Sequence, residues 1–327
     1  MAQNITYREA LNQALREELR RDPNVFIIGE EVAEYGGAYK VTEGLFEEFG
    51  PDRVIDTPIS EEAIAGAGIG AAMVGLRPIV EMMTVNFALL AIDQIVNHAA
   101  KLHYMSGGQI TIPMVVRAPQ GSGLQLGAQH SQNLEAWFAH VPGLKVVLPS
   151  TPADAKGLLK SAIRDNSPVI FLEHETLYGS KGPVPDEEYT TPIGVAEVKR
   201  TGKDVSLIAY SYMLTLCLKA AEQLAGENID VEVIDVRTLR PLDANTIIDS
   251  VKKTHKALIV EEDWKSVGMG AEIESRILNG AFDYLDAPII RLATAEVPMP
   301  YSKPLEKQAI PSLTEIITAA RTLAQNR

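Results

Sequence analysis

The sequence predicts an α/β protein of two domains, each a mainly parallel sheet covered by helices. Three observations carry this reading. Short runs rich in β-branched residues alternate with segments of helical period along nearly the whole chain, the pattern of parallel strands buried on both faces. At 327 residues the chain is too long for one small core and suits two domains of ordinary size. Between Tyr178 and Gly194 the alternation lapses into a Gly- and Pro-rich polar stretch of linker character. We therefore expect domains at residues 1–180 and 196–327, joined by a linker at 181–195.

The elements follow in order. Thr6-x-x-Glu9 is a capping box, and Tyr7, Leu11, Leu15 and Leu19 recur at helical spacing behind it, so the first helix starts there and ends before Pro23. Val25 to Ile28 reads as a buried strand, followed by an acidic loop through Glu30, Glu31, Gly36 and Gly37. Val54 to Asp56 is a short strand. Thr57-Pro-Ile-Ser60 then turns the chain into a helix of small residues, with Ser60 as its N-cap. The alternation continues with a strand at 78–82, one helix from Ala88 to Tyr104, strands at 114–117 and 145–148, a helix at 153–164 and a strand at 169–172. Beyond the linker, strands at 205–209, 231–234, 257–260 and 289–292 alternate with helices at 213–224, 243–252 and 270–278. Ser312-x-x-Glu315 caps a last helix to Leu323.

Lys plus Arg number 30 and Asp plus Glu 43, a net charge of −13 with no basic cluster, which argues against binding nucleic acid or an anionic membrane. The longest uncharged apolar run, Ala63 to Leu76, is shorter than the roughly 20 residues that span a bilayer. The single cysteine, Cys217, has no partner for an internal disulfide and reads as a helix filler in a reducing, cytoplasm-like compartment. The N-terminus has no apolar signal core, so we expect a cytoplasmic protein or one whose leader was removed.

Several residues could carry chemistry. Gly66-x-Gly68-x-x-Ala71 formally matches a dinucleotide fingerprint, the basis of a Rossmann-type oxidoreductase reading. Its context opposes this, because the helix already starts at Ser60 and the glycines lie inside it, where each costs up to about 1 kcal/mol. Close approach of another backbone, at a domain or subunit interface, is the competing explanation. Gly268-x-Gly270 is a second, weak anion-loop pattern, better read as a plain turn with a tight helix start. Glu61 and Glu62 occupy the first helical positions after Ser60, where the helix dipole favours a carboxylate. They decorate a helix end, or one of them, desolvated against small apolar residues with its pKa raised, exchanges a proton with a bound heterocycle. His98 and His103 are five apart and do not share a face, so they read as packing residues and not as a metal pair. His130 sits in the Gly-rich polar loop Gly121 to Gln132, either as a site residue or as an ordering hydrogen-bond partner.

Asp56-Thr-Pro-Ile-Ser-Glu61, Ala91-Ile-Asp-Gln94, Tyr104-Met-Ser-Gly-Gly108, Ala128-Gln-His-Ser-Gln132, Leu239-Arg-Pro241 and Val297-Pro-Met-Pro-Tyr301 occur together and in order. With these motifs the chain resembles, from about Thr6 to Leu323, the β subunits of the pyruvate dehydrogenase component of the 2-oxoacid dehydrogenase complexes. Branched-chain and acetoin relatives are similar, but Tyr-Met-Ser-Gly-Gly and Val-Pro-Met-Pro-Tyr look more like the pyruvate branch. The resemblance implies a thiamine-diphosphate pyrimidine-binding domain followed by a transketolase-type C-terminal domain. It implies that Glu61 hydrogen-bonds a ring nitrogen of the cofactor's aminopyrimidine, favouring the tautomer that takes the proton from the thiazolium carbon. It further implies that Met83 and Phe87 pack on the pyrimidine and that His130 assists acyl transfer to lipoamide. A potassium ion on carbonyls of Met114, Ala162, Ile163, Asp165 and Ser167 is implied likewise. The family's magnesium and diphosphate are held by a Gly-Asp-Gly motif, which this sequence lacks. The resemblance thus implies an α subunit carrying that motif in an α2β2 heterotetramer, and a dihydrolipoyl acyltransferase core docked on it. A non-catalytic scaffold is the remaining alternative.

Overall fold

The computed structural model describes residues 2–325. The chain divides into two compact units, residues 1–120 with 137–193, and residues 121–136 with 194–327. Among the described residues, no helix is long and apolar enough to cross a membrane.

In the first unit, β1 (Ala2–Thr6) leads into α1 (Tyr7–Arg21), whose capping box forms as the spacing predicts: the Glu9 N–H donates to Thr6 Oγ1 (3.2 Å) and the Thr6 N–H to the Glu9 carboxylate (2.7 Å). Tyr7, Leu11, Leu15 and Leu19 form its buried face. Then come β2 (Val25–Gly29), α2 (Leu45–Phe49), β3 (Val54–Asp56), α3 (Glu61–Met73) and β4 (Arg77–Glu81). They are followed by α4 (Leu102–Met105), β5 (Val115–Gln120), α5 (Glu135–Ala139, whose first two residues are grouped with the second unit), β6 (Lys145–Val147), α6 (Pro152–Arg164), β7 (Val169–His174) and β8 (Lys181–Pro185). Within this unit the strands run β6-β7-β5-β4-β2-β3, every neighbour parallel. Their almost wholly buried side chains are what helices on both faces of a sheet require.

Three sequence expectations change here. The single helix expected from Ala88 to Tyr104 is broken into a 3₁₀ turn (Val85–Leu89), a π-helical turn (Gln94–Ala99) and α4. The Ala100 N–H reaches back five residues to the Ile95 carbonyl (3.0 Å), and Gly143 packs so tightly on the Ala100 carbonyl that a Cβ would come within 2.0 Å. Local periodicity cannot register that distant contact. The segment read as linker begins with a strand, β8, antiparallel to β1; its prolines are tolerated in a two-stranded ribbon, where an N–H can face outward. Ser60 stands at the N-cap of α3, but its hydroxyl makes no cap hydrogen bond.

The second unit contains β9 (Glu197–Arg200), β10 (Val205–Ala209), α7 (Ser211–Ala225), β11 (Val231–Asp235), β12 (Thr238–Arg240), α8 (Ala244–Thr254) and β13 (Ala257–Trp264). It continues with α9 (Met269–Ala281), β14 (Ile290–Thr294), α10 (Lys303–Ala309) and α11 (Leu313–Gln325). Its sheet runs β14-β13-β10-β11-β9, parallel except for β9. α7 and α11 bury Met213, Leu214, Leu224, Ile316, Ala320 and Leu323 in one core, with Cys217 fully enclosed among them. Ser312 and Glu315 form the second capping box.

Candidate active site

The first unit gathers its candidate residues by strand register. Gly29 of β2 lies beside Asp56 of β3 and beside Glu81 of β4, and Glu81 lies beside Arg117 of β5. Because these strands are parallel, the segments that follow them leave from one edge, the usual place for ligands in open α/β sheets. Glu30 follows β2, Thr57 to Glu61 follow β3, and Met82 to Phe87 follow β4. The edge is tied together by the Thr57 N–H to the Gly29 carbonyl (3.0 Å) and by the Ala33 N–H to Asp56 Oδ1 (2.8 Å).

Glu61 is the first residue of α3 and only 6% exposed, whereas Glu62 is exposed. Position in the sequence cannot separate the two acids; burial does. Glu30 is only 8% exposed and faces Glu61. Burial pushes its carboxyl above the usual carboxylate range, the neighbouring Glu61 charge adds to this, and a hydrogen bond from the Ser60 N–H opposes it. The Ser60 backbone thus serves Glu30, while its side chain leaves the helix end uncapped.

Of the apolar side chains after β4, Met82 and Val85 are sunk in the core, whereas Met83 and Phe87 are half-buried and keep surface for a ligand. One carboxylate oxygen of Glu30 and the hydroxyls of Thr57 and Thr84 are shut off from water and take no hydrogen bond among the described residues. Buried polar groups are rarely left so. Three of them on loops from a single sheet edge suit a ligand bearing N–H and acceptor groups, such as an aminopyrimidine. Sequence reading missed Glu30, Thr57 and Thr84 as site residues; the signal for Glu30 was an acid directly after a buried strand. At the same ends of β4, β5 and β7, fully buried Arg117 pairs with Glu81 and Glu173, and Tyr178 donates to Glu173 (2.6 Å). A buried cation with both carboxylate partners satisfied resists displacement, because removing either partner strands a charge.

The glycines of α3 fall well inside the helix, which starts at Glu61, so the dinucleotide fingerprint lacks its strand-to-helix turn. Gly68 packs on this unit's own sheet, where a Cβ would meet Val80 Cγ2 at 2.5 Å, and Gly66 faces the Gln94 side chain. The close approach expected at an interface is, at Gly68, contact between helix and sheet within one unit. Gly70 has open space around it. The Gly268-x-Gly270 pattern is a helix start whose anion is internal: the Glu261 carboxylate accepts the Gly270 N–H (2.6 Å) and pairs with Arg291 (2.9 Å).

His98 is half-buried and His103 is exposed, with its Nδ1 at 2.8 Å from the Ile110 carbonyl. Among the described residues, no group of three or more His, Cys, Asp or Glu is arranged to hold a metal ion. Four of the five carbonyls implied for potassium already serve as acceptors. Met114 receives the Val169 N–H (3.0 Å), Ala162 the Asp165 N–H (3.3 Å), and Ile163 and Asp165 receive Arg77 Nη1 (2.9 and 3.0 Å). Each carbonyl retains a second lone pair, so oxygen ligands for a cation remain, beside a guanidinium.

In the second unit, His130 is partly exposed, and its N–H donates to the Gly127 carbonyl (3.2 Å). In the same unit, Asp263 is buried near Glu135, Glu261 and Glu296. Burial, reinforced by the Glu135 charge, pushes the Asp263 carboxyl up to about 9 against a hydrogen bond from the Trp264 N–H.

The "Transketolase, pyrimidine binding domain" family matches residues 3–181, and the "Transketolase, C-terminal domain" family matches residues 194–316. The chain is 55% identical over 320 residues to the pyruvate dehydrogenase E1 component subunit beta of Rhizobium meliloti, covering 98% of this chain and 70% of that one. It is 54% identical to the mitochondrial counterpart of Dictyostelium discoideum, covering 98% and 91%, and 55% identical to that of Rickettsia felis, covering 97% of each. Among solved structures, an inactive beta4 tetramer of a split-gene transketolase superposes with a TM-score of 0.81 at 22% identity, over 99% of this chain and all of that one, a likeness of fold. The pair of matching domains and the identity along almost the whole length agree, and the chain belongs to the family of pyruvate dehydrogenase E1 component β subunits.

Proposed function

We propose that the chain is the β subunit of a thiamine-diphosphate-dependent pyruvate dehydrogenase (acetyl-transferring), decarboxylating pyruvate oxidatively and acetylating lipoyl groups on a dihydrolipoyl acyltransferase core. The observation that supports it most directly is the sheet edge where buried Glu61 and Glu30 meet and where one carboxylate oxygen of Glu30 and the hydroxyls of Thr57 and Thr84 find no partner among the described residues. Thiamine diphosphate, when bound, supplies a carbon nucleophile and an electron sink. Glu61 holds or gives up a proton at a ring nitrogen of the aminopyrimidine, a role that suits a carboxylate kept from bulk water. Met83 and Phe87 offer apolar surface to the ring, and His130 assists transfer of the acetyl group. Magnesium and the diphosphate fall to an α subunit with a Gly-Asp-Gly motif, since this chain has none. That partner completes an α2β2 assembly, with the exposed side of α3, including Gly70 and Met73, and Val74 just beyond it, as a contact face. Potassium, if held on the carbonyls of Met114, Ala162, Ile163, Asp165 and Ser167, shares two of them with Arg77. We put the two domains at 1–180 and 196–327, joined at 181–195, and the compartment at the cytoplasm or an organelle lumen.

The test is Glu61→Gln in enzyme reconstituted with an α subunit. Loss of a positioned acid–base group predicts a fall in pyruvate turnover of about 10²–10⁴-fold with folding intact. Near-normal turnover would make Glu61 a mere helix-end decoration and favour the scaffold reading. Comparing pyruvate with branched-chain 2-oxoacids and acetoin on the same enzyme assigns the substrate.

A further inference from the structure

We propose that Glu306, on α10, is a positioning residue for the loop that carries His130. The inference rests on the reading of His130 as an acyl-transfer residue. Residues 121–132 form no helix or strand, and the backbone is left-handed or otherwise positive in φ at Gly121 (98°), Gly123 (113°), Gln125 (59°) and Gly127 (78°). A loop so rich in glycine has much conformational freedom to lose, and Gln125 adopts a conformation that a side chain disfavours. Something outside the loop must hold it.

The second unit supplies that hold at three points. Glu306 is 2% exposed, and its Oε1 accepts the N–H groups of both Gly123 (2.8 Å) and Gln125 (3.1 Å). Hydrogen bonds to a carboxylate are about twice as strong as neutral ones, and this pair spans the residues of unusual φ. Glu262 Oε1 accepts both the N–H and the hydroxyl of Ser122 (2.8 Å each), and its carbonyl accepts Asn133 Nδ2 (3.3 Å), which fixes the two ends. The Tyr301 ring lies on Gly127 so closely that a Cβ there would come within 2.5 Å, and the Tyr301 carbonyl accepts Gln125 Nε2 (3.2 Å). Gly127 in turn accepts the His130 N–H. The order of support therefore runs from Glu306 to Gly123 and Gln125, then through Gly127 to His130. Glu306 stands within five residues of Tyr301, so the start of α10 delivers both the carboxylate and the ring to one face of the loop.

The experiment uses the reconstituted α2β2 enzyme with Glu306→Ala, Glu306→Asp and His130→Ala. Two quantities are read: backbone amide hydrogen exchange across residues 121–132, and the ratio of lipoyl-domain acetylation to dye reduction by an artificial electron acceptor. Removing charge-assisted hydrogen bonds predicts exchange faster by about tenfold or more in Glu306→Ala. The acetylation-to-dye ratio is expected to fall by about tenfold with it, which a general loss of stability would not produce. Glu306→Asp keeps the charge but shortens its reach; it is expected to fall between wild type and Glu306→Ala and decides the matter should the alanine variant not fold. Unchanged exchange in both variants overturns the proposal, as does faster exchange with the ratio within twofold of wild type. If His130→Ala keeps a normal ratio, it is the reading of His130 that fails, and the exchange data alone then decide whether Glu306 holds the loop.

Discussion

Replacing Gly68 and Gly70 separately by alanine tests what the glycines of α3 do. Both lie in the helix interior, so each substitution gains the same helix propensity, about 1 kcal/mol. They differ in space. A Cβ on Gly68 comes within 2.5 Å of Val80 Cγ2, about an ångström inside ordinary contact, and Val80 is fully buried with a stiff β-branched side chain. Forcing extra volume into such a site costs about 1–3 kcal/mol. A Cβ on Gly70 meets nothing within 4 Å. Gly70→Ala should therefore stabilise the isolated chain by about 0.5–1 kcal/mol, and Gly68→Ala should leave it unchanged or destabilise it by up to about 2 kcal/mol. Because propensity cancels, the difference between the variants, about 1–3 kcal/mol, reports packing alone. Urea denaturation followed by circular dichroism measures it. Equal stabilities within about 0.5 kcal/mol, the scatter of surface substitutions, would refute the claim that Gly68 exists to seat α3 on β4. In the reconstituted enzyme, Gly68→Ala should also lower turnover, since Glu61 rides on the displaced helix.

Two further outcomes follow from the electrostatics. Folded Asp263 keeps its proton up to about 9, while in the unfolded chain it gives it up at the ordinary aspartate value. The folded state therefore binds more protons between these limits, and this contribution to stability is present at acid pH and lost as pH rises through the window. Asp263→Asn should flatten the decline in urea midpoint between about pH 5 and 9; an unaltered slope would show that another group carries the proton. Potassium bound to the carbonyls around Asp165 should raise the unfolding temperature in a saturable way, worth about 2.7 kcal/mol at a hundredfold excess over Kd, with sodium at equal ionic strength less effective. No difference between the ions would leave that turn to the side chains of Arg77 and Lys145, both of which already meet Asp165.

What the sequence determined by itself was whatever depends on short-range pattern. Both capping boxes, at Thr6 and Ser312, form as spaced, and the buried strands of both units fall where β-branched runs predict them. The family was legible too, because its motifs are contiguous. Tertiary structure decided what depends on distant chain segments. It separated buried Glu61 from exposed Glu62, and it brought Glu30 against Glu61 through the register of β2 with β3, across 31 residues of chain. It broke the helix expected at 88–104 where Gly143 packs on Ala100, and it turned the Gly268-x-Gly270 pattern inward onto Glu261. It also grouped residues 121–136 with the second unit, where Glu262 and Glu306 hold the loop. A local pattern records what a residue can do with its neighbours in sequence. Burial and unpaired polar atoms are set by neighbours in space, and those select the residues available for chemistry.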